Sequence, residues 1–162
     1  MKIQRGFTLI ESLVVISIIG VIMSLVLVNL NVARQKTRDL KRKTDLSQIG
    51  RYLTLSCYVP NAGAGEYDLM ELADELKTRY PQYAGLFSQI PRDPKSGTDT
   101  ESFYFYIVNT SGNTKCALYA NFENDKEQTT LDITEPIPGG GSGIFRSSVG
   151  WNGSSKYFQI SN

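Results

Sequence analysis

Histidine is missing from all 162 residues. A Ser-His-Asp or Cys-His nucleophile pair, a histidine general base and a histidine metal ligand are therefore excluded. Cysteine occurs only twice and tryptophan once, and no proline precedes Pro60, so nothing forces a helix to break over the first third of the chain. Charge is also scarce in one long stretch: from Phe7 to Leu30 (FTLIESLVVISIIGVIMSLVLVNL) Glu11 is the only ionisable side chain. With 41% of residues hydrophobic and 20% charged, the chain suits one domain of ordinary size.

The apolar run is 24 residues long. At about 1.5 Å per residue it spans about 36 Å as a helix, against about 30 Å of bilayer hydrocarbon. A buried core helix would need a large surrounding protein, and the residues that follow are mostly polar. The run reads as a membrane helix. In front of it stands MKIQRG, with Lys2 and Arg5, like the charged start of an export signal. Secretory signals place a small-residue cleavage site after the apolar segment; here Val32-Ala33 leads straight into charge, so the apolar segment is expected to be retained.

Gly6-Phe7-Thr8-Leu9-Ile10-Glu11 resembles the processing motif of type IV pilins and of the related pseudopilins of type II secretion systems. The resemblance covers the motif and the helix, about the first third of the chain. It implies that a membrane-embedded prepilin peptidase cuts between Gly6 and Phe7 on the cytoplasmic face and methylates the new amino terminus of Phe7. It implies subunit assembly through Phe7 and Glu11. A carboxylate in hydrocarbon is costly, and the same helix offers it no evident partner; the freed amine of Phe7 on a neighbouring subunit would supply the counter-charge and set the stagger. Snorkelling of Glu11 to the headgroups is the alternative. Gly20, flanked by Ser17 and Ser24, is a candidate point of helix flexibility in the family reading. It reads equally as an ordinary membrane-helix glycine, because Val28 stands where many pilins carry a proline.

The formal charge of +1 hides an asymmetry. Residues 34–43 hold six basic side chains against Asp39, whereas from Asp45 onward there are 9 basic and 14 acidic residues. Anionic headgroups and the acidic faces of neighbouring subunits are the expected counter-charges for this neck; nucleic acid is not an expected partner. By the positive-inside tendency the neck would stay in the cytoplasm. The leader motif and the cysteines favour export instead.

Apolar spacing continues through Leu46, Ile49, Leu53 and Cys57, predicting one helix from Phe7 to about Ser56 with an apolar stripe on the body. Cys57 and Cys116 read as a disulfide stapling helix to sheet, with two buried free thiols as the alternative. After the break NAGAG at 61–65, Asp68 and Glu71 predict a helix cap, Leu69, Leu72, Ala73 and Leu76 one buried face, and Tyr80-Pro81 its end. SFYFYIVN (102–109) and TKCALYANF (114–122), joined by TSGN, read as an antiparallel hairpin. Further strands are expected near 129–134 and 156–160. Gly139–Gly143 reads as a flexible connection and lacks the lysine of a phosphate loop. Asp125, Glu127 and Asp132 are scattered without a calcium-loop pattern, so no cofactor is expected and the acids read as solvated surface. Asn109-Thr110-Ser111 and Asn152-Gly153-Ser154 satisfy the glycosylation rule.

These readings converge on an α+β, pilin-like protein: a long amino-terminal helix, its first half transmembrane, packed on a small antiparallel sheet. The segments are a leader (1–6), a membrane or filament-core half (7–30), a basic amphipathic half (31–60) and an exterior domain (61–162). The expected role is structural and non-enzymatic, as a subunit of a type IV pilus or related filament; a type II secretion pseudopilin or a monomeric membrane-anchored binding protein is the alternative. The family resemblance also implies an inner-membrane assembly platform and a helical homo-oligomer. The chain would be single-pass in the inner membrane before assembly, with its globular domain outside the cytoplasm, and afterwards part of a periplasmic or extracellular filament.

Overall fold

The computed structural model describes residues 8–162, so Gly6 and Phe7 lie outside the described residues. The chain divides into two compact units, Met1–Gln35 and Lys36–Asn162. After Thr8 the described part of the first unit is helical and belongs to α1 (Leu9–Leu53). Its valines and isoleucines are mediocre helix formers in water, but a segment surrounded by hydrocarbon must pair every backbone group internally, and a helix does so. The hydroxyls obey the same rule: Ser17 Oγ donates to the Leu13 carbonyl at 2.8 Å and Ser24 Oγ to the Val21 carbonyl at 2.7 Å.

In the second unit α1 lays Leu46, Ile49 and Leu53 into the core. Gly50 permits the close approach, because a Cβ there would stand 3.2 Å from Ile160 Cγ2. The helix stops at Leu53, three residues before the expected end. Thr54 turns its hydroxyl onto the Gly50 carbonyl, and Cys57 adopts φ 44°, which no helix continues through.

Five antiparallel strands form one sheet in the order β1-β2-β3-β5-β4: β1 (Gly65–Asp68), β2 (Phe105–Asn109), β3 (Lys115–Asn121), β4 (Gly143–Arg146) and β5 (Lys156–Ser161). Between β1 and β2 lie α2 (Leu69–Arg79), a 3₁₀ turn (Pro81–Tyr83) and the single helical turn α3 (Ala84–Phe87). The period of two sorts the hairpin. Tyr106, Val108, Cys116, Leu118 and Ala120 face α1 and α2, while Phe105, Ile107 and Tyr119 face the other way under Leu131, Ile133 and Trp151. Leu69, Leu72, Ala73 and Leu76 of α2 are buried as expected. Asp68 makes the cap, its carboxylate accepting from Met70 N at 2.8 Å, and it also accepts from Ser102 N and Phe103 N. Glu71 remains exposed.

Two expectations fail. Residues 129–134 form no strand: Thr130 N and Leu131 N both donate to the Ile144 carbonyl, while Thr130's hydroxyl, in place of its carbonyl, accepts from Ile144 N, so no ladder propagates. The Gly139–Gly143 run is not a free connection either. Gly139 N donates to Ser161 Oγ at 2.6 Å, Gly140 N to the Ile137 carbonyl, and Gly143 opens β4.

Candidate assembly site

The candidate assembly segment begins with a cap. Thr8 N donates to Glu11 Oε2 at 2.9 Å, Thr8 Oγ1 donates to the same oxygen at 2.7 Å, and Glu11 N reaches Thr8 Oγ1 at 3.4 Å. This is a capping box, two otherwise orphaned donors of the first turn satisfied reciprocally. It corrects the expectation that the helix offers Glu11 no partner. The signal was present in the sequence, since Thr8-x-x-Glu11 is the capping spacing. Phe7, the other member of the expected pair, lies outside the described residues, as does the expected cleavage position.

Among the described residues, the apolar side chains of this segment have little to pack on. Leu9, Ile10, Ile16 and Val21 are more than 60% exposed, and α1 is the one helix among the described residues long and apolar enough to cross a membrane. Such a surface calls for lipid or other helices around it. A Cβ placed on Gly20 meets nothing within 4 Å, so packing inside the chain does not demand a glycine there.

The basic neck departs most from expectation. Arg42 is fully buried. Its Nε and Nη2 grip the two oxygens of Asp93 at 2.7 and 2.9 Å, Nη1 reaches Asp39 at 2.6 Å, and Nη2 also reaches Glu123 at 2.9 Å. Arg38 holds Glu123 in a second fork, both bonds 2.6 Å. Asp39 in turn accepts from Glu123 N and Asn124 N, and Asn152 Nδ2 donates to Asp93. Burial opposes the charges of Arg42, Asp93 and Glu123. The mutual hydrogen bonds and charges outweigh it, so the arginine's pKa is raised and both carboxylates are held below their usual range. Lys41 pairs with Asp45 at 3.0 Å, and Lys43 stands 3.6 Å from Glu127. Four of the six neck cations thus have counter-charges in their own chain, where lipid or neighbouring subunits were expected to supply them. The charge run gave no hint of this, because two of the carboxylates lie 51 and 81 residues away.

Cys57 and Cys116 form a disulfide with their Cα atoms 5.4 Å apart, joining the turn that follows α1 to β3. Asp125 caps Ser155 through its backbone N–H and hydroxyl, and Glu127 faces Lys43, while Asp132 is exposed. The three acids serve separate places. The Asn152 amide is buried and bonded to Asp93 and the Asn121 carbonyl, which withholds that sequon from modification; Asn109 is exposed at the hairpin tip.

An unburied apolar helix that opens on a capped acid and carries a disulfide-stapled antiparallel sheet defines a pilin-like α+β protein. Residues 1–27 match the family model described as the prokaryotic N-terminal methylation motif. It is 35% identical over 97 residues to the type II secretion system core protein G of Dickeya chrysanthemi, a match covering 56% of this chain and 63% of that protein. No solved structure matches the chain.

Proposed function

We propose that this chain is a structural subunit of a helical filament. Prepilin peptidase releases it after Gly6 and methylates Phe7. The apolar half of α1 holds it in the inner membrane, with residues 61–162 outside the cytoplasm, and assembly transfers that half from lipid into a shared helical core. Phe7 and Glu11 act in docking, the new amine of one subunit neutralising the carboxylate of the next. Head-to-tail contacts of this kind generate open filaments. The observation that carries the reading is the methylation motif placed directly on an apolar helical segment that is unburied among the described residues. Likeness to a type II secretion core protein supports a secretion pseudopilus over a surface pilus. The role is structural, and no cofactor is assigned to it.

Intact mass with N-terminal fragmentation of protein taken from membranes or sheared filaments tests the processing: a methylated Phe7 start is expected, and an intact leader on the functional form refutes it. Glu11→Gln tests the docking, because glutamine keeps the capping-box acceptor and removes the charge. Loss of assembly in that variant is expected; normal assembly would reduce Glu11 to a helix cap.

A further inference from the structure

Beside the ion pairs of the neck, α1 carries a second basic surface that is only partly committed, through Lys43 to Glu127. Lys43, Thr44, Ser47, Gln48 and Arg51 line a shallow groove of about 360 Å³ with no acid in its wall. Thr44 and Ser47 spend their hydroxyls on the Leu40 and Lys43 carbonyls, and Lys43 leans toward Glu127 at 3.6 Å and over the Phe122 ring, so the groups left free to meet a partner are Gln48 and Arg51. Arg51 is exposed and has no ion pair among the described residues. Leu55, one turn further, is 81% exposed. The groove offers a cation at each end and an apolar shoulder.

The complement lies elsewhere on the same chain. Asp132 and Glu135 are exposed carboxylates without an ion pair among the described residues, and Ile137 beside them is 38% exposed. Backbone bonds from Thr130 and Leu131 to Ile144, and from Ile137 N to Gln159 Oε1 at 3.1 Å, hold the loop at both ends. The spacings agree. Lys43 and Arg51 are about 12 Å apart along the helix axis, and Asp132 and Glu135 at most about 10 Å apart in extended chain, a difference that long side chains absorb.

We propose that this face of α1 docks the 131–137 loop of a second copy of the chain, Arg51 receiving Glu135 and Lys43, shared with Glu127, receiving Asp132, while Leu55 and Ile137 cover each other. The inference rests on the filament reading and extends it, giving the exterior domains a contact separate from the helix core. Two different surfaces are used, so each subunit offers one to each neighbour and the contact repeats without closing. Exposed ion pairs of this kind fix register and partner more than they drive association.

Gln48→Cys combined with Thr134→Cys in the full chain, in membranes of cells that assemble it, should give a ladder of cross-linked species on non-reducing gels under mild oxidant, and neither single variant should. In that background Arg51→Glu should lower the cross-link yield by about tenfold, roughly what one lost pair with a like charge opposite it commands. Glu135→Arg added to Arg51→Glu should restore it. If oligomers dependent on Glu11 form but the cysteine pair gives no ladder, or the charge swap does not rescue it, the proposal fails while the filament reading stands. If no oligomer forms at all, both fail. Photo-crosslinking of this face to phosphatidylglycerol that Arg51→Glu abolishes, with no ladder, would assign it to lipid and overturn the proposal.

Discussion

Replacing Arg42 by methionine removes four charge-assisted hydrogen bonds at once, two to Asp93 and one each to Asp39 and Glu123. The side chain is fully buried, so no water takes the place of the lost donors. Each carboxylate keeps other partners: Asp93 still accepts from Lys95 N, Ser96 N and Asn152, Asp39 from Glu123 N and Asn124 N, and Glu123 from Arg38. The expected cost is therefore that of breaking one buried pair, about 3–5 kcal/mol, and not a full charge stranded in a dry core. For a unit of this size that lowers Tm by on the order of 10–20 °C. Trp151 packs against Phe105 and Tyr157, so in detergent-solubilised full-length protein its fluorescence reports unfolding of the body. The pH dependence separates this mechanism from a simple packing defect. Asp93 and Glu123 are held below their usual pKa, so their contribution is present above about pH 4 and is lost as pH falls through the folded-state values. The gap between wild type and Arg42→Met should narrow on acidification below about pH 4. A gap under about 1 kcal/mol at pH 7, or one indifferent to pH, would refute the buried-pair account.

Reducing the Cys57–Cys116 bond, or replacing both cysteines by serine, opens a loop with a sequence separation of 59. By chain entropy that costs about 4 kcal/mol, measurable by urea unfolding with and without reductant. Asp68→Ala strips acceptors from Met70, Ser102 and Phe103, the last at φ 58°; a loss of about 2–4 kcal/mol is expected, less for Asp68→Asn. Gly150→Ala should be strongly destabilising, because its Cβ would collide with the Tyr157 hydroxyl and stand 2.6 Å from Asn121 Cγ; thermal unfolding reads the effect. Gly20→Ala should stabilise the free subunit's helix by about 1 kcal/mol, and slower assembly despite that gain would mark Gly20 as a contact or hinge of the filament.

What was legible in the sequence followed the strength of local pattern. The hairpin of β2 and β3 stood out because β2 packs aromatic and β-branched residues into 5 positions with alternating burial, and a Ser-Gly turn leads on to the largely apolar 7-residue β3. β1 and β4 escaped notice because each has only 4 residues and begins with glycine, so their strand character comes from their neighbours in the sheet. The disulfide and the apolar face of α2 were readable from residue type and spacing. The buried ion cluster was not. A run of cations reads as solvated or lipid-facing until the fold brings Asp93 and Glu123 over it, and no short-range pattern encodes that. At the amino end the Thr8-x-x-Glu11 spacing encodes the cap, and the same carboxylate is the one charge of the apolar run, so a single residue carries two signals.

The Arg42 cluster also fixes an order of events. Synthesis runs from the amino end, so the helix segment holding Arg38, Asp39 and Arg42 is complete long before Asp93 and Glu123 exist, at separations of 51 and 81 residues. Until those acids arrive, two guanidinium groups must wait in solvent on a helix whose apolar stripe is also unmatched. The neck therefore takes its seat late, after the hairpin, and a chain truncated before Glu123 should leave that seat empty.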